Sequence, residues 1–536
     1  MNGKINVNLT RNWHTGIPRF RGTIFDGAKK LSSTEAQSAI RGLNSKDAVM
    51  SFLKRSNGFF SIVNIEGDTG WIAVDRIRSL PLFYGQRNGK IFISDDARWV
   101  REQVQDNEID PIAREEFLAC GYVTGPDTLF PNVKQVQAGE VVFFQIDNDG
   151  KITIEPNRYF RYYPSNFFSE PPEVLQEKLD IISTNVFTRL IEYANGRTLV
   201  VPLSGGYDSR HIVLMLKRMG YKNILAFSYG KPGNRESEIS NIVAKRLGFN
   251  WEFIPYSNDT WYKWYQCDEM KEFHEFADGL VSLPFTQDWP AVLMLKKENR
   301  IPHNAVFVPG HTPMLAIQIN AVEKIWNKIK GERCFFEMLR EAHYYLREQK
   351  DSLIHCTRNS WYSKEFDMTS KEKLAAVGDF WAWTERQSKF ICNSVRVYEF
   401  FGFDWWLPLW DIEFVSFCER IPYECRLGKS FYKNYVDRTS KQLGFSLQEL
   451  QMNPKKGFSI ENVIKGIAKK VLSKQYRKIL PDAVFKYQIK NHPLGSLGRF
   501  PREDVIKLLR QGYSSNGIAA YFYIKRLEEN LRKGEI

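Results

Sequence analysis

Two glycines, two hydroxyls and one carboxylate fall within six residues at Ser204-Gly205-Gly206-Tyr207-Asp208-Ser209, directly after the apolar run Val200-Val201-Pro202-Leu203. A glycine-rich turn between a buried strand and a helix start offers backbone N–H groups and the positive end of a helix dipole to an anion. The serine hydroxyls add donors. Asp208 would repel a phosphate unless a divalent cation stands between them, and Mg²⁺ favours one or two carboxylates completed by phosphate oxygens. The same residues also suit a plain strand-to-helix turn in which Asp208 caps the helix. Their combined spacing favours a nucleotide loop made by Leu203, Ser204, Gly205, Gly206, Asp208 and Ser209, with Asp208 as the metal ligand.

The elements that must hold this loop follow from periodicity and turn chemistry. Residues 57–100 are rich in β-formers, with strands predicted at 59–65, 71–75, 81–84 and 90–94 and turns at Glu66-Gly67-Asp68 and Arg87-Asn88-Gly89. Strands at 140–146 and 152–154 are joined by Asp147-Asn148-Asp149-Gly150, a hairpin turn. An antiparallel sheet is expected there. After the aromatic stretch 159–172 the pattern changes to helix 174–193, strand 198–203, helix 209–219, strand 224–229, helix 236–247 and strand 251–255. Strands alternating with helices predict a parallel, doubly wound sheet. On the helix at 236–247, Ile239, Ile242, Val243 and Leu247 form one apolar stripe that should face the sheet. Residues 320–450 read as mostly helical, and 502–533 as a terminal helical segment. Two domains are expected, residues 1–165 and 166–536.

The chain has 536 residues, 43% of them hydrophobic, which is too long for one compact core and too apolar for disorder. No run approaches the length of a membrane span and the first thirty residues lack a signal-peptide core, so a cytoplasmic location without membrane attachment is expected. The seven cysteines form no CxxC pair and read as buried thiols. The net charge of +13 is scattered along the chain, which suits a solvated basic surface and speaks against a nucleic-acid partner.

The hexad at 204–209 resembles the PP-loop of the ATP pyrophosphatases, and it lacks the lysine of a kinase-type phosphate loop. Further segments resemble the asparagine synthetase family, which includes the β-lactam synthetases. Ala226-Phe227-Ser228-Tyr229-Gly230 resembles the strand whose backbone, near Tyr229, meets the adenine. Pro454-Lys455-Lys456-Gly457-Phe458 resembles the segment whose lysine, here Lys455, neutralises charge developing on the phosphates. Phe403-Asp404-Trp405-Trp406-Leu407-Pro408-Leu409-Trp410-Asp411 is similar to the acceptor-site signature, with Asp404 standing for a family glutamate as acid or base. In Val308-Pro309-Gly310-His311-Thr312-Pro313-Met314, the resemblance puts Gly310 against the nucleotide and His311 at the catalytic position. Met314 stands where the family has a metal-binding aspartate. A thioether is a poor ligand for a hard cation, which leaves Glu236, Glu238 or water to complete the metal shell.

Asn57-Gly58-Phe59-Phe60, Asp75-Arg76 and Pro81-Leu82-Phe83-Tyr84 resemble landmarks of the class II glutamine amidotransferase domain that precedes the synthetase domain in this family. The resemblance runs from about residue 45 to 465. Position 2 is Asn2 and the first cysteine is Cys120, so the N-terminal nucleophile of a working glutaminase is missing. The resemblance thus implies an α/β protein: an antiparallel-sheet, Ntn-hydrolase-like domain that has lost its glutaminase, then a parallel-sheet ATP pyrophosphatase domain with a helical C-terminal portion. It implies ATP and Mg²⁺ as cofactors, a small-molecule carboxylate that is adenylated, and ammonia or an amine that forms the amide. A sugar acid, or an amine in the same molecule as in β-lactam formation, stays open as substrate, and a homodimer as assembly. The rival readings are a catalytically impaired nucleotide-binding relative with a scaffolding or regulatory role and, with less support, a tRNA-modifying enzyme.

Overall fold

The computed structural model describes residues 4–314, 317–329, 332–347, 359, 362–447 and 482–534. Two sheets are built from the first 158 residues. The strands are β1 (Ile5–Asn8), β2 (Arg19–Asp26), β3 (Lys29–Lys30), β4 (Ser56–Glu66), β5 (Thr69–Val74), β6 (Phe83–Arg87), β7 (Lys90–Ser94), β8 (Lys134–Gln135), β9 (Glu140–Ile146) and β10 (Ile152–Arg158). The larger sheet has the order β10-β9-β5-β4-β2-β3 and is antiparallel throughout. The smaller has the order β1-β7-β6-β8, and its β1–β7 pair is parallel. Val63, Ile72, Val142 and Phe144 from the larger sheet and Tyr84, Ile91 and Ile93 from the smaller share one buried cluster, so the sheets pack face to face. Helices Ser33–Arg41 and Lys46–Arg55, absent from the sequence expectation, cover the other face of the larger sheet through Ile40, Phe52 and Leu53.

The long helix Pro172–Ala194 leads into the second unit. Its sheet is parallel, with β11 (Leu199–Pro202), β12 (Ile224–Gly230), β13 (Asn250–Pro255), β14 (Val306–Phe307) and β15 (Asp404–Trp405) in the order β13-β12-β11-β14-β15. Helices Tyr207–Arg218 and Arg235–Leu247 are the crossovers between neighbouring strands. The apolar stripe on Arg235–Leu247 needs one correction. Ile239, Val243 and Leu247 are buried, but Ile242 is 41% exposed, and Ala244 with Ser240 takes its place against the sheet. The buried stripe is thus rotated by part of a turn from the expected one.

A single buried cluster joins the two units, since Phe25, Phe59, Ile77 and Leu80 pack with residues of the parallel sheet and its helices. The ring of Phe59 lies 4.7 Å from that of Trp406. Beyond 320 the described residues are mostly helical, β15 apart, and helices Arg502–Arg510 and Ser515–Lys533 close over Val123, Leu129 and Leu280. No helix among the described residues is long and apolar enough to cross a membrane.

Candidate active site

Strand β11 continues into Leu203, whose N–H donates to the Phe227 carbonyl at 2.8 Å, before the chain turns into helix Tyr207–Arg218. Gly206 is the N-cap and provides no side-chain cap, so the first N–H groups of the helix are left for an outside acceptor. The two serines brace the turn from within. Ser204 N–H donates to Ser209 Oγ at 3.1 Å, and Gly206 N–H donates to Ser204 Oγ at 3.1 Å. Buried Arg210 clamps it from below, donating through Nη2 to the Gly205 carbonyl at 2.7 Å and through Nε to the Gly206 carbonyl at 3.0 Å. These carbonyls are thereby turned away from an incoming anion.

Gly310 presses on the same helix start. A Cβ there would lie 2.8 Å from the Ser209 nitrogen, closer than real Cβ atoms come, and a tight 3.2 Å from the Asp208 carbonyl carbon. The register is fixed by Val308 N–H donating to the Val200 carbonyl at 2.9 Å. His311 follows, with Nε2 2.7 Å from Ser394 Oγ. Burial pushes its imidazolium down to about 4, which favours the neutral ring at pH 7.

Asp208 Oδ2 lies 3.4 Å from Lys429 Nζ, while Oδ1 is buried without a hydrogen-bond partner. Burial raises its pKa; the Lys429 ammonium, the Tyr432 hydroxyl and Arg210 act against that rise. A partnerless carboxylate oxygen at an anion-receptive helix start is the donor that a phosphate-bound Mg²⁺ needs, since this ion takes most of its shell from phosphate and water. Among the described residues no group of three or more His, Cys, Asp or Glu could enclose a metal alone. The residues therefore fit a metal that arrives with the nucleotide. Met314 is buried and shares a small cavity with Tyr162, Lys429 and Tyr432, so it lies in the Asp208 neighbourhood without adding a hard ligand. Glu236, in the first turn of Arg235–Leu247, borders Gly205 from the other side; its Cγ is 3.7 Å from where a Gly205 Cβ would stand.

Tyr229 ends β12 beside the loop. Its ring stacks on Tyr256 at 5.1 Å and 14°, and its hydroxyl donates to buried Asp288, which also accepts from Tyr398 at 2.6 Å. This fixes the backbone at the carboxyl end of β12.

Asp404 is misplaced by the sequence reading. It begins β15 level with Val306, itself level with Leu199, at the amino ends of the strands. Ser204 is about 16 Å further along at ~3.3 Å per residue. Asp404 instead pairs with Arg197 on the surface, its side chain 56% exposed. An acid or base there cannot reach the phosphate loop. Asp411, at the end of the same segment, caps helix Ile412–Glu419. Lys455, with Pro454-Lys455-Lys456-Gly457-Phe458, lies outside the described residues. The sequence reading missed Lys429, Tyr432 and Arg210. Arg210 was visible as a basic residue in the first helical turn, against the dipole preference, whereas Lys429 is brought in from a distant helix and left no local signal.

In the N-terminal unit, Asn57 and Asp75 are committed to structure. Asn57 Nδ2 donates to Asp411 at 2.9 Å, and Arg189 grips the same carboxylate at 2.7 and 2.8 Å. Asp75 accepts from the N–H groups of Phe60, Ile77 and Ser79. Cys120 is buried, and burial holds its thiol well above the ordinary value.

Residues 45–160 match the glutamine amidotransferase domain family. The chain is 29% identical over 175 residues to asparagine synthetase [glutamine-hydrolyzing] 1 of Bacillus subtilis (strain 168), a match covering 31% of this chain and 26% of that protein. The match therefore spans about a quarter of the relative's length. Among solved structures, the NH3-dependent NAD synthetase from Campylobacter jejuni is 14% identical with a TM-score of 0.19, covering 28% of this chain and 61% of that one. The glutamine-dependent NAD+ synthetase from Acinetobacter baumannii in complex with ADP is 11% identical with a TM-score of 0.18, covering 60% and 67%. Superposition at such scores does not bear on the reaction. The similarity thus runs to the glutamine amidotransferase domain over residues 45–160 and, over 175 residues, to an asparagine synthetase.

Proposed function

We propose that the chain is an ATP-dependent ligase that adenylates a small-molecule carboxylate and passes the acyl group to ammonia or an amine. The observation that carries this reading is the partnerless Asp208 Oδ1 buried at an uncapped helix start. In the first step a carboxylate oxygen of the substrate attacks the α-phosphorus of ATP and pyrophosphate leaves. In the second the amine nitrogen attacks the acyl carbon, AMP leaves and the nitrogen gives up a proton. AMP is a good leaving group, so the chain's task is to orient the reactants and hold phosphate charge.

The uncapped N–H groups of the helix start at 207–209 and the Ser204 and Ser209 hydroxyls would bind the triphosphate, with Gly310 fixing the helix start and the backbone near Tyr229 receiving the base. Asp208 would hold Mg²⁺ through Oδ1, and this ion, when bound, supplies charge neutralisation to the leaving pyrophosphate. Lys429 supplies a fixed cation on the Met314 side, where the family resemblance leads one to expect a second carboxylate. Glu236 borders the loop and is a further candidate oxygen donor. Neutral His311, hydrogen-bonded to Ser394, would orient a substrate group.

The amine donor is external in this reading, because Cys120, the only cysteine of residues 1–165, is buried and Asn57 is spent on Asp411. A nucleotide-binding relative without turnover is the second reading, favoured by Met314 and by Asp404 at the wrong end of the sheet. Exchange of labelled pyrophosphate into ATP, run with a panel of candidate acids, separates the two. Acid-dependent exchange supports the ligase, and ATP retention without exchange for any acid supports the binder.

A further inference from the structure

A second cavity, of about 360 Å³, is lined by none of the phosphate-loop residues. Five aromatic side chains line it, Trp261, Tyr265, Phe285, Phe390 and Phe500, alongside polar ones such as Gln287, Ser515 and Asn516. A single guanidinium, Arg499, reaches into it from the C-terminal segment, beyond the stretch that resembles the synthetases.

Arg499 is only 7% exposed, yet among the described residues no carboxylate forms an ion pair with it. Nη1 donates to Thr286 Oγ1 at 2.9 Å and Nε has no hydrogen-bond partner. Its carbon Cζ lies 5.6 Å from the Trp261 ring centre and 5.0 Å from that of Phe500. Among the described residues no Asp or Glu lines the cavity, and the Nε2 atom of His274 on its wall is also buried and partnerless. Burial lowers the guanidinium only to about 10, so it is cationic at neutral pH. A buried, unpaired cation is costly to a fold unless something neutralises it. The fork of an arginine fits the two oxygens of a carboxylate, and the volume is that of a small-ligand site.

We propose that this cavity binds a small aromatic carboxylate, its carboxylate on Arg499 and its ring among Trp261, Tyr265, Phe285, Phe390 and Phe500. The site is independent of the ligase reading and stands or falls by binding alone. The test titrates the full chain with 3-phenylpropanoate, its neutral alcohol analogue and inorganic phosphate, followed by calorimetry. The acid is expected to bind about tenfold or more tighter than either control. Arg499→Leu should weaken it by a similar factor, and Asp208→Asn should leave it unchanged. Equal binding of the alcohol would show that the charge is not read, and equal binding of phosphate that the ring is not. Undiminished binding to Arg499→Leu, or no binding of the acid up to about 10 mM, would overturn the proposal. Should Arg499→Leu fail to fold, the comparison of acid and alcohol on the unaltered chain decides the matter.

Discussion

Lys429 and Asp208, 221 positions apart in the chain, meet at the phosphate loop, Nζ 3.4 Å from Oδ2. Lys429 holds a left-handed backbone (φ 60°) directly after Gly428 (φ 57°), a conformation that a non-glycine residue adopts only when its surroundings impose it. Removing the charge while keeping the length, as in Lys429→Met, should slow pyrophosphate exchange by about 10- to 100-fold. The Mg²⁺ concentration for half-maximal ATP binding should fall, because Asp208 then answers to the metal alone. A rate loss with an unchanged metal requirement would show that Lys429 acts elsewhere.

Asp208→Asn keeps the shape of the loop but removes the carboxylate. ATP affinity in the presence of Mg²⁺ should drop by at least about tenfold, while affinity measured in chelator changes little. Calorimetric titration with and without the metal checks this. Equal Mg²⁺ dependence in both proteins would remove Asp208 from the metal site.

The close approach of Gly310 predicts that Gly310→Ala drives the 308–314 loop off the helix start. A destabilisation of about 1–3 kcal/mol is expected from overpacking, together with weaker ATP binding. Urea unfolding and nucleotide titration measure the two effects separately, and an alanine tolerated in both would refute the packing described.

Asp404→Ala gives the opposite expectation. Its partner Arg197 and its exposure make this a surface ion pair, worth about 0–1 kcal/mol. Exchange and ligation rates should stay within about twofold of the parent, a difference of ~0.4 kcal/mol in barrier. A collapse of activity without loss of stability would restore Asp404 to the catalytic set.

Acid should unfold this protein through its buried histidines. His211 is held at about 3 and His311 at about 4 by burial, against 6.5 for the exposed group. Between pH 6.5 and about 4 the unfolded chain therefore binds more protons than the folded one, and stability falls as pH falls. The contribution of His311 is complete above pH 6.5 and lost as pH drops towards 4. His311→Gln should show a shallower decline over this window in urea midpoints; an identical decline would show that His311 does not titrate on unfolding.

Much of the fold was legible where local chemistry and tertiary packing agree. The Asp147-Asn148-Asp149-Gly150 turn sets β9 against β10 from Glu140–Arg158 to Ile146–Ile152, and the crossover helix Arg235–Leu247 carries both a cap residue, Asn234, and an apolar stripe. β14 and β15 are two residues each, too short for periodicity to register; β14 forms on the edge of β11, and β15 on the edge of β14. The same brevity misled the reading of Asp404. A motif matched by letters carries no information about which end of a strand it occupies, and here the strand starts at the aspartate itself. Lys429 and Tyr432 were invisible for another reason, since their place beside Asp208 is made by the packing of helix Ser430–Gln442 on Tyr207–Arg218.

The Asn57, Asp411 and Arg189 knot joins the first sheet to the helical layer of the second unit in a place shielded from water. Asn57 is there enlisted as a rivet between halves, and Phe59 beside it is wedged against Trp405 and Trp406. A seam of this kind denies each half an independent melting transition. Scanning calorimetry should accordingly record a single endotherm for the whole chain, and the amidotransferase-like half expressed alone should expose an oily flank and precipitate.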